Sequence, residues 1–310
     1  MERVPTPEVK TSAAASTDAA LVPFVKMHGL GNDYVYLDER EGDLPDPGPW
    51  APVLADRHRG IGSDGIIVLR RDRDCPVRME MVNADGSRSG MCGNGIRCVA
   101  RLARERGYAT EDAFEIAVDD GRCAARILRE GDDPNGSIVA VSIDLGVPRV
   151  GADLAASALD VEPEVIDVSG TAFSGVAIDV GNPHFVHRLG DLAGSSSDLT
   201  AFPLGELGPR VEHHPRFPHR TNVGIAHVLD RATIDLRVWE RGSGETQACG
   251  SGATAAATAM RARGLVGDDV AVRVLGGTLR ITFDAQGHAW MTGAAEESFR
   301  GVFRRGLVSS

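Results

Sequence analysis

Lysine is almost missing from this chain. Of 33 basic side chains only Lys10 and Lys26 are lysines, and the rest are arginines. A pyridoxal-phosphate enzyme needs a Schiff-base lysine. Lys26 is the one credible candidate, which disfavours that route. Long apolar runs are also missing: no stretch of about eighteen apolar residues exists, so no membrane-spanning helix is expected. Residues 1–20 carry Pro5, Pro7, Glu8 and Asp18 and lack the apolar core of a signal peptide, so they read as a flexible N-terminal extension. The five cysteines, an odd number, include no CxxC pair. That argues against a disulfide framework or a zinc site and fits a reducing cytoplasm. There is no Walker A loop and no GxSxG elbow, GLGND is not GxGxxG, and no His or Cys grouping has metal-ligand spacing. A net charge of -11 gives no basic footprint for nucleic acid.

What is present is a long unit that occurs twice. MCGNGIRCVARLARERG (91–107) is echoed by ACGSGATAAATAMRARG (248–264), and fifteen residues separate Cys92 from Gly107 and Cys249 from Gly264. The flanks agree. GLGNDYVYL (29–37) corresponds to VGNPHFVHRL (180–189), and FEIAVDDGRCAARI (114–127) to VAVRVLGGTLRITF (270–283). Nine residues before each cysteine stands a polar residue, Asn83 or Glu240. Repeats of this kind mark duplicated architecture. The pattern predicts strands at about 24–27, 33–38, 65–70 and 77–82 before a helix over 93–106. The order recurs at about 173–179, 184–189, 222–228 and 232–239 before a helix over 251–263. The fold class expected is α+β: two pseudo-symmetric domains, each a curved, barrel-like β-sheet around a central α-helix. The second helix is alanine-rich and almost without polar groups, and so should be buried on all sides. The expected division is 21–145 with 296–310 returning to it, and 146–295, breaking near 142–151.

The chemistry centres on Cys92 and Cys249. Each precedes a glycine-flanked helix start, where open N–H groups and partial positive charge are expected to lower a thiol pKa and to cradle a carboxylate. Two such helices facing one cleft would place a thiol on each side of a substrate α-carbon. Inversion at a stereocentre needs that arrangement, with one base to remove a proton and one acid to return it. Cys75, Cys98 and Cys123 lack this context and read as small buried apolar residues.

These residues sit in six ordered motifs: KMHGLGNDYVYLD (26–38), RHRGIGSDGII (57–67), NADGSRSGMCGNGIRC (83–98), GNPHFV (181–186), RTNVGI (220–225) and ERGSGETQACGSGA (240–253). In them the sequence resembles the diaminopimelate epimerase family over about residues 21–300. The resemblance implies cofactor-independent interconversion of LL- and meso-diaminopimelate in the route to lysine and peptidoglycan precursors. It also implies a homodimer whose partner molecule is otherwise only a small substrate. By motif match, Cys92 and Cys249 take the catalytic roles. Asn32, Asn83, Asn182, Asn222, Glu240 and Arg241 take substrate contacts, and Gly93, Asn94, Gly250 and Ser251 the carboxylate cradles. His184 and Glu240 tune the thiols. Outside the motifs, Asn32 and Asn182 would pass as turn residues and His184 as a core histidine. One departure stands out. Some members carry glutamine after the aspartate of the second motif, whereas Gly65 follows Asp64 here, so that side-chain contact is not carried over. Rival readings are a proline-racemase-like or phenazine-type isomerase on the same fold, a non-catalytic binding protein, and a thiol-redox protein.

Overall fold

The computed structural model describes residues 21–133, 136–151, 155–156, 161–191 and 198–308. The extension expected over 1–20 lies outside the described residues. In chain order the first half comprises β1 (Leu21–Gly29), β2 (Asn32–Asp38), α1 (Ala51–Ala55), β3 (Gly65–Arg70), β4 (Val77–Asn83), β5 (Arg88–Ser89), α2 (Gly93–Glu105), β6 (Ala113–Val118), β7 (Gly121–Arg129) and β8 (Ile138–Asp144). There follow β9 (Arg149–Val150), β10 (Ala155–Ala156), β11 (Glu164–Val168), β12 (Thr171–Asp179), β13 (Pro183–Arg188), α3 (Leu204–Glu212), β14 (Asn222–Asp230), β15 (Thr233–Glu240), β16 (Gly244–Glu245), α4 (Gly250–Ala262), β17 (Asp269–Val274), β18 (Gly277–Phe283), β19 (Ala289–Gly293) and β20 (Glu296–Arg304).

The duplication is visible in the pairing. In the first half β1–β2 are antiparallel, β2–β3 parallel, β3–β4 antiparallel, β4–β6 parallel, and β6–β7–β8 antiparallel. The second half repeats the scheme with β12, β13, β14, β15, β17, β18 and β19. The two curled sheets meet where β8 pairs with β19, Ile143 opposite Met291. After β8 the chain crosses to pair β9 with β12; after β19 it crosses back, and β20 lies along β1 from Leu21↔Arg304 to His28↔Glu296. Each half therefore receives its closing strand from the other.

Each sheet curls around one helix. Ile96, Val99 and Leu102 of α2 pack among Ile67, Met79, Ile116 and Val141. Of the thirteen residues of α4, eleven are buried, eight of them Ala or Gly, and they pack against Val186, Leu236, Val238, Val270 and Ile281. Small side chains let the surrounding strands close tightly on all sides of that helix. Each full-size aliphatic side chain buried here contributes about 1.5–3 kcal/mol. The repeated Arg-x-Arg-Gly endings are matched C-terminal caps. Gly107 and Gly264 take positive φ, and the amides of Tyr108 and Leu265 return to Ala103 and Met260 (2.9 Å each). The outer faces are covered by Trp50 and Leu54 around α1 and by Phe173, Phe185 and Val211 around α3.

Candidate active site

The fold brings the two CGxG turns together. Cys92 and Cys249 are the N-caps of α2 and α4, with nearly the same extended backbone (φ -119, ψ 122 and φ -120, ψ 110). The residues that follow them touch: a Cβ placed on Gly93 would lie 3.9 Å from Gly250 Cα. Fully buried Met291 of β19 wedges between these glycines, its Cε 3.0 Å from a Cβ on Gly93 and its Sδ 2.7 Å from one on Gly250. A side chain at either glycine would press on the tip of Met291. Asn94 also crosses the divide, donating from Nδ2 to the carbonyl of Ala248 (3.0 Å).

Around Cys92 the network is short. Its Sγ donates to Asn32 Oδ1 (3.2 Å), and Asn32 Nδ2 donates to Asp64 Oδ2 (2.7 Å). Around Cys249 it is longer. The thiol accepts from Gly252 N–H (3.3 Å) and meets Ser251 Oγ (3.5 Å); Ser251 accepts from Asn182 Nδ2 (3.4 Å), and Asn182 Oδ1 faces His184 Nε2 (3.0 Å). Asn182 Oδ1 can only accept, so His184 must carry its proton on Nε2. The duplicated positions Asn32 and Asn182 thus serve equivalent sides of the two thiols, one directly and one through Ser251. Glu240, at the end of β15, is bonded by the Thr246 hydroxyl and faces Cys249.

Asn222 braces β13 and β14: its Nδ2 donates to Pro183 O (2.8 Å) and its Oδ1 accepts from Arg241 N–H (2.9 Å). The Arg241 guanidinium donates to the carbonyl of His219 (3.0 Å). Asn83, the counterpart of Glu240 in the first half, directs its amide to Ser87 (3.0 Å) within its own turn rather than toward either thiol.

The electrostatics depart from expectation. Helix N-termini alone would lower both thiol pKa values. Instead burial pushes Cys92 up, opposed by the Gly95 and Asn94 amides and the Tyr34 hydroxyl. Cys249 is pushed up much further, by burial and then by the Glu240 carboxylate, against Ser251 and Gly252. Desolvation of a thiolate outweighs two or three hydrogen bonds. Burial likewise raises the Glu240 carboxyl and lowers His184 to about 3. Burial thus works against a thiolate at either cysteine and against charge on His184.

The family model described as diaminopimelate epimerase matches residues 24–149 and 176–297. The chain belongs to the diaminopimelate epimerase family. It is 38% identical over 297 residues to the diaminopimelate epimerase of Desulfovibrio desulfuricans, covering 92% of this chain and 99% of that one. It is 40% identical over 288 residues to that of Moorella thermoacetica, covering 90% and 98%. Among solved structures it is similar to a phenazine biosynthesis protein of the PhzF family from Bacillus anthracis (TM-score 0.64, 13% identity, 92% of this chain and 99% of that one). It is also similar to a probable proline racemase from Agrobacterium radiobacter K84 (TM-score 0.65, 16% identity, 90% and 92%). At such identities these two show the fold alone, and it is the two-domain α+β fold expected.

Sequence reasoning missed Met291, Tyr34, Thr246 and the part played by Asp64. Met291 lies on an ordinary-looking strand, with no motif to mark it. Asp64 and Tyr34 stood inside quoted motifs, but only the folded chain shows what they face. Cys75, Cys98 and Cys123 are buried, and Cys98 and Cys123 are raised by desolvation to about 11 and about 12.

Proposed function

We propose that this protein interconverts LL- and meso-2,6-diaminopimelate by two-base proton transfer between Cys92 and Cys249, without a cofactor, in the supply of lysine and peptidoglycan precursors. The observation that carries the reading is the meeting of two cysteine-capped helix starts at Gly93 and Gly250. A substrate α-carboxylate docks on the amides of Gly93, Asn94, Gly250 and Ser251. Its α-carbon then has one sulfur on each face. One cysteine, as thiolate, takes the α-proton and becomes thiol. The other gives its S–H proton to the opposite face of the carbanion and becomes thiolate. The proton count of the protein is unchanged, and the roles reverse in the other direction. Glu240 faces Cys249 and is placed to hold its proton, while His184 acts on Cys249 through Asn182 and Ser251. The substrate's second zwitterionic end is met by the remaining asparagines and by Arg241, whose planar fork suits a carboxylate.

The test is turnover of LL-diaminopimelate in heavy water with reduced protein. Deuterium must enter the α-position as epimerisation proceeds; its absence would sink the enzymatic reading. Proline assayed beside it decides the substrate class, since faster racemisation of proline would replace diaminopimelate. We further propose that the protein works in a reducing cytoplasm and as a homodimer. Strand β20 supports the second point: it pairs with β1 on one side and exposes Phe299 and Val302, an edge that another strand can cover. Sedimentation that finds only monomer at micromolar concentration would overturn it.

A further inference from the structure

The two sulfurs are solvated unequally by their neighbours. Cys249 accepts a backbone N–H, from Gly252. Cys92 makes no capping bond as close as that, although the Gly95 and Asn94 amides face it, and it points its S–H at an amide oxygen. The orientation of Asn32 is what presents oxygen rather than nitrogen to the thiol, and that orientation has a visible cause. Asp64 Oδ2 receives Asn32 Nδ2 (2.7 Å) and the backbone N–H of Asp33 (3.1 Å). A carboxylate only accepts, so the amide must turn its NH2 group toward Asp64 and its carbonyl toward Cys92. Asp64 is itself held: Arg57 Nη2 donates to its Oδ1 (2.9 Å) and to Asp33 Oδ1 (2.6 Å), and Asp33 is also bonded by buried Lys26.

We infer that Asp64 is a positioning residue for Cys92, locking the Asn32 amide so that its carbonyl oxygen meets the thiol and favours the protonated form. A thiolate at Cys92 would face a carbonyl oxygen, which repels it, whereas a turned amide would offer it an N–H. The effect runs through orientation more than through charge, because Arg57 pairs with the Asp64 carboxylate. The other groups facing Cys92 stay unchanged when Asp64 is altered. They are Tyr34 and Tyr36 on β2, the Gly95 and Asn94 amides, Arg97 and Cys98 on its own helix, and Glu240 and Cys249 from the second half. The inference rests on the acid–base role proposed for Cys92, but its test reads the thiol itself and can fail while that role stands.

The experiment is the pH dependence of iodoacetamide alkylation in the full-length reduced protein, mapped by mass to Cys92, with Cys249 as internal reference. In Asp64→Asn the amide at position 64 can donate, Asn32 can turn, and the Cys92 midpoint should fall by about one pH unit. That is a roughly tenfold faster alkylation at any pH below both midpoints. The Cys249 midpoint should stay put. Asn32→Ala alone should also lower the Cys92 midpoint, and Asp64→Asn added to Asn32→Ala should change nothing more. An unchanged Cys92 midpoint in Asp64→Asn overturns the inference. So does a shift that persists without Asn32, since Asp64 would then act by charge. If Asp64→Asn fails to fold by circular dichroism, Asp64→Ala and the Asn32→Ala measurement decide it, and a Cys92 midpoint unmoved in Asn32→Ala refutes the proposal.

Discussion

Replacing Met291 by alanine should separate the positioning of the two thiols from their chemistry. Met291 is fully buried, pairs across the junction of the halves with Ile143, and contacts both post-cysteine glycines. It also receives Arg97 Nη1 at Sδ (3.5 Å). Truncating a buried methionine to alanine costs about 2–5 kcal/mol, the upper part of the range applying where the cavity cannot collapse. Here the walls are helix ends and paired strands, so about 3 kcal/mol or more is expected. At about 2.1 cal/mol/K of unfolding entropy per residue, 3 kcal/mol lowers the Tm of this 310-residue chain by roughly 5 °C. The catalytic consequence is separate. With the wedge gone the helix starts can shift relative to each other, and a misplacement near 1 Å costs on the order of 100-fold in rate. Met291→Ala should therefore lower kcat by at least about tenfold with KM much less affected. Met291→Leu, which conserves volume, should lose less than about 1.5 kcal/mol and keep most of its turnover. Urea denaturation paired with steady-state epimerase assays reads both quantities. Wild-type stability and wild-type kcat in Met291→Ala would refute the claim that this side chain spaces the two helices.

Other outcomes follow from the same structure. Cys92→Ala and Cys249→Ala should each lose epimerisation entirely while folding normally; near-normal turnover of either, measured by circular dichroism of the product mixture, removes the two-base scheme. Gly65→Gln, which introduces the glutamine found in some family members, should destabilise by about 1–3 kcal/mol, because a Cβ at Gly65 would sit 2.3 Å from the Val82 carbonyl oxygen. A melting temperature equal to wild type would show that the local backbone yields. His184 has its pKa lowered by burial from 6.5 to about 3, so between those values the unfolded chain binds a proton that the folded chain refuses. Stability contributed by neutral His184 is present above pH 6.5 and is lost as pH falls, by about 3 kcal/mol between pH 7 and pH 4. In His184→Asn the pH dependence of the urea midpoint over that window should flatten, and an unaltered slope would contradict it.

Much of the architecture was legible because duplication doubles every signal. The strand–helix order and the two helices, expected over 93–106 and 251–263, could be read from matched spacing, since periodicity is a local property of the chain. The burial of α4 followed from an alanine-rich helix with no polar face. The meeting of β8 with β19 and the exchange of β9 and β20 between halves had weaker local marks. They rest on pairings between residues as far apart as Leu21 and Arg304, or Ser142 and Thr292, whose hydroxyls bond at 2.9 Å.

The cysteine pair itself was written in the sequence, because CGxG recurs in matched flanks and no other nucleophile or cofactor anchor competes with it. Asn32, Asn182, His184 and Glu240 could be named from motifs, but not their partners. Only the tertiary structure decided that Asn32 reaches Cys92 directly while Asn182 reaches Cys249 through Ser251, and that Met291 stands between the helix ends. It also reversed the expected thiol electrostatics. A helix N-terminus is a local feature that favours thiolate, whereas desolvation depends on everything packed around the sulfur, which no stretch of sequence contains. The residue types at the site follow from the chain alone. Their protonation states follow from how completely two curled sheets exclude water from the place where the two helices meet.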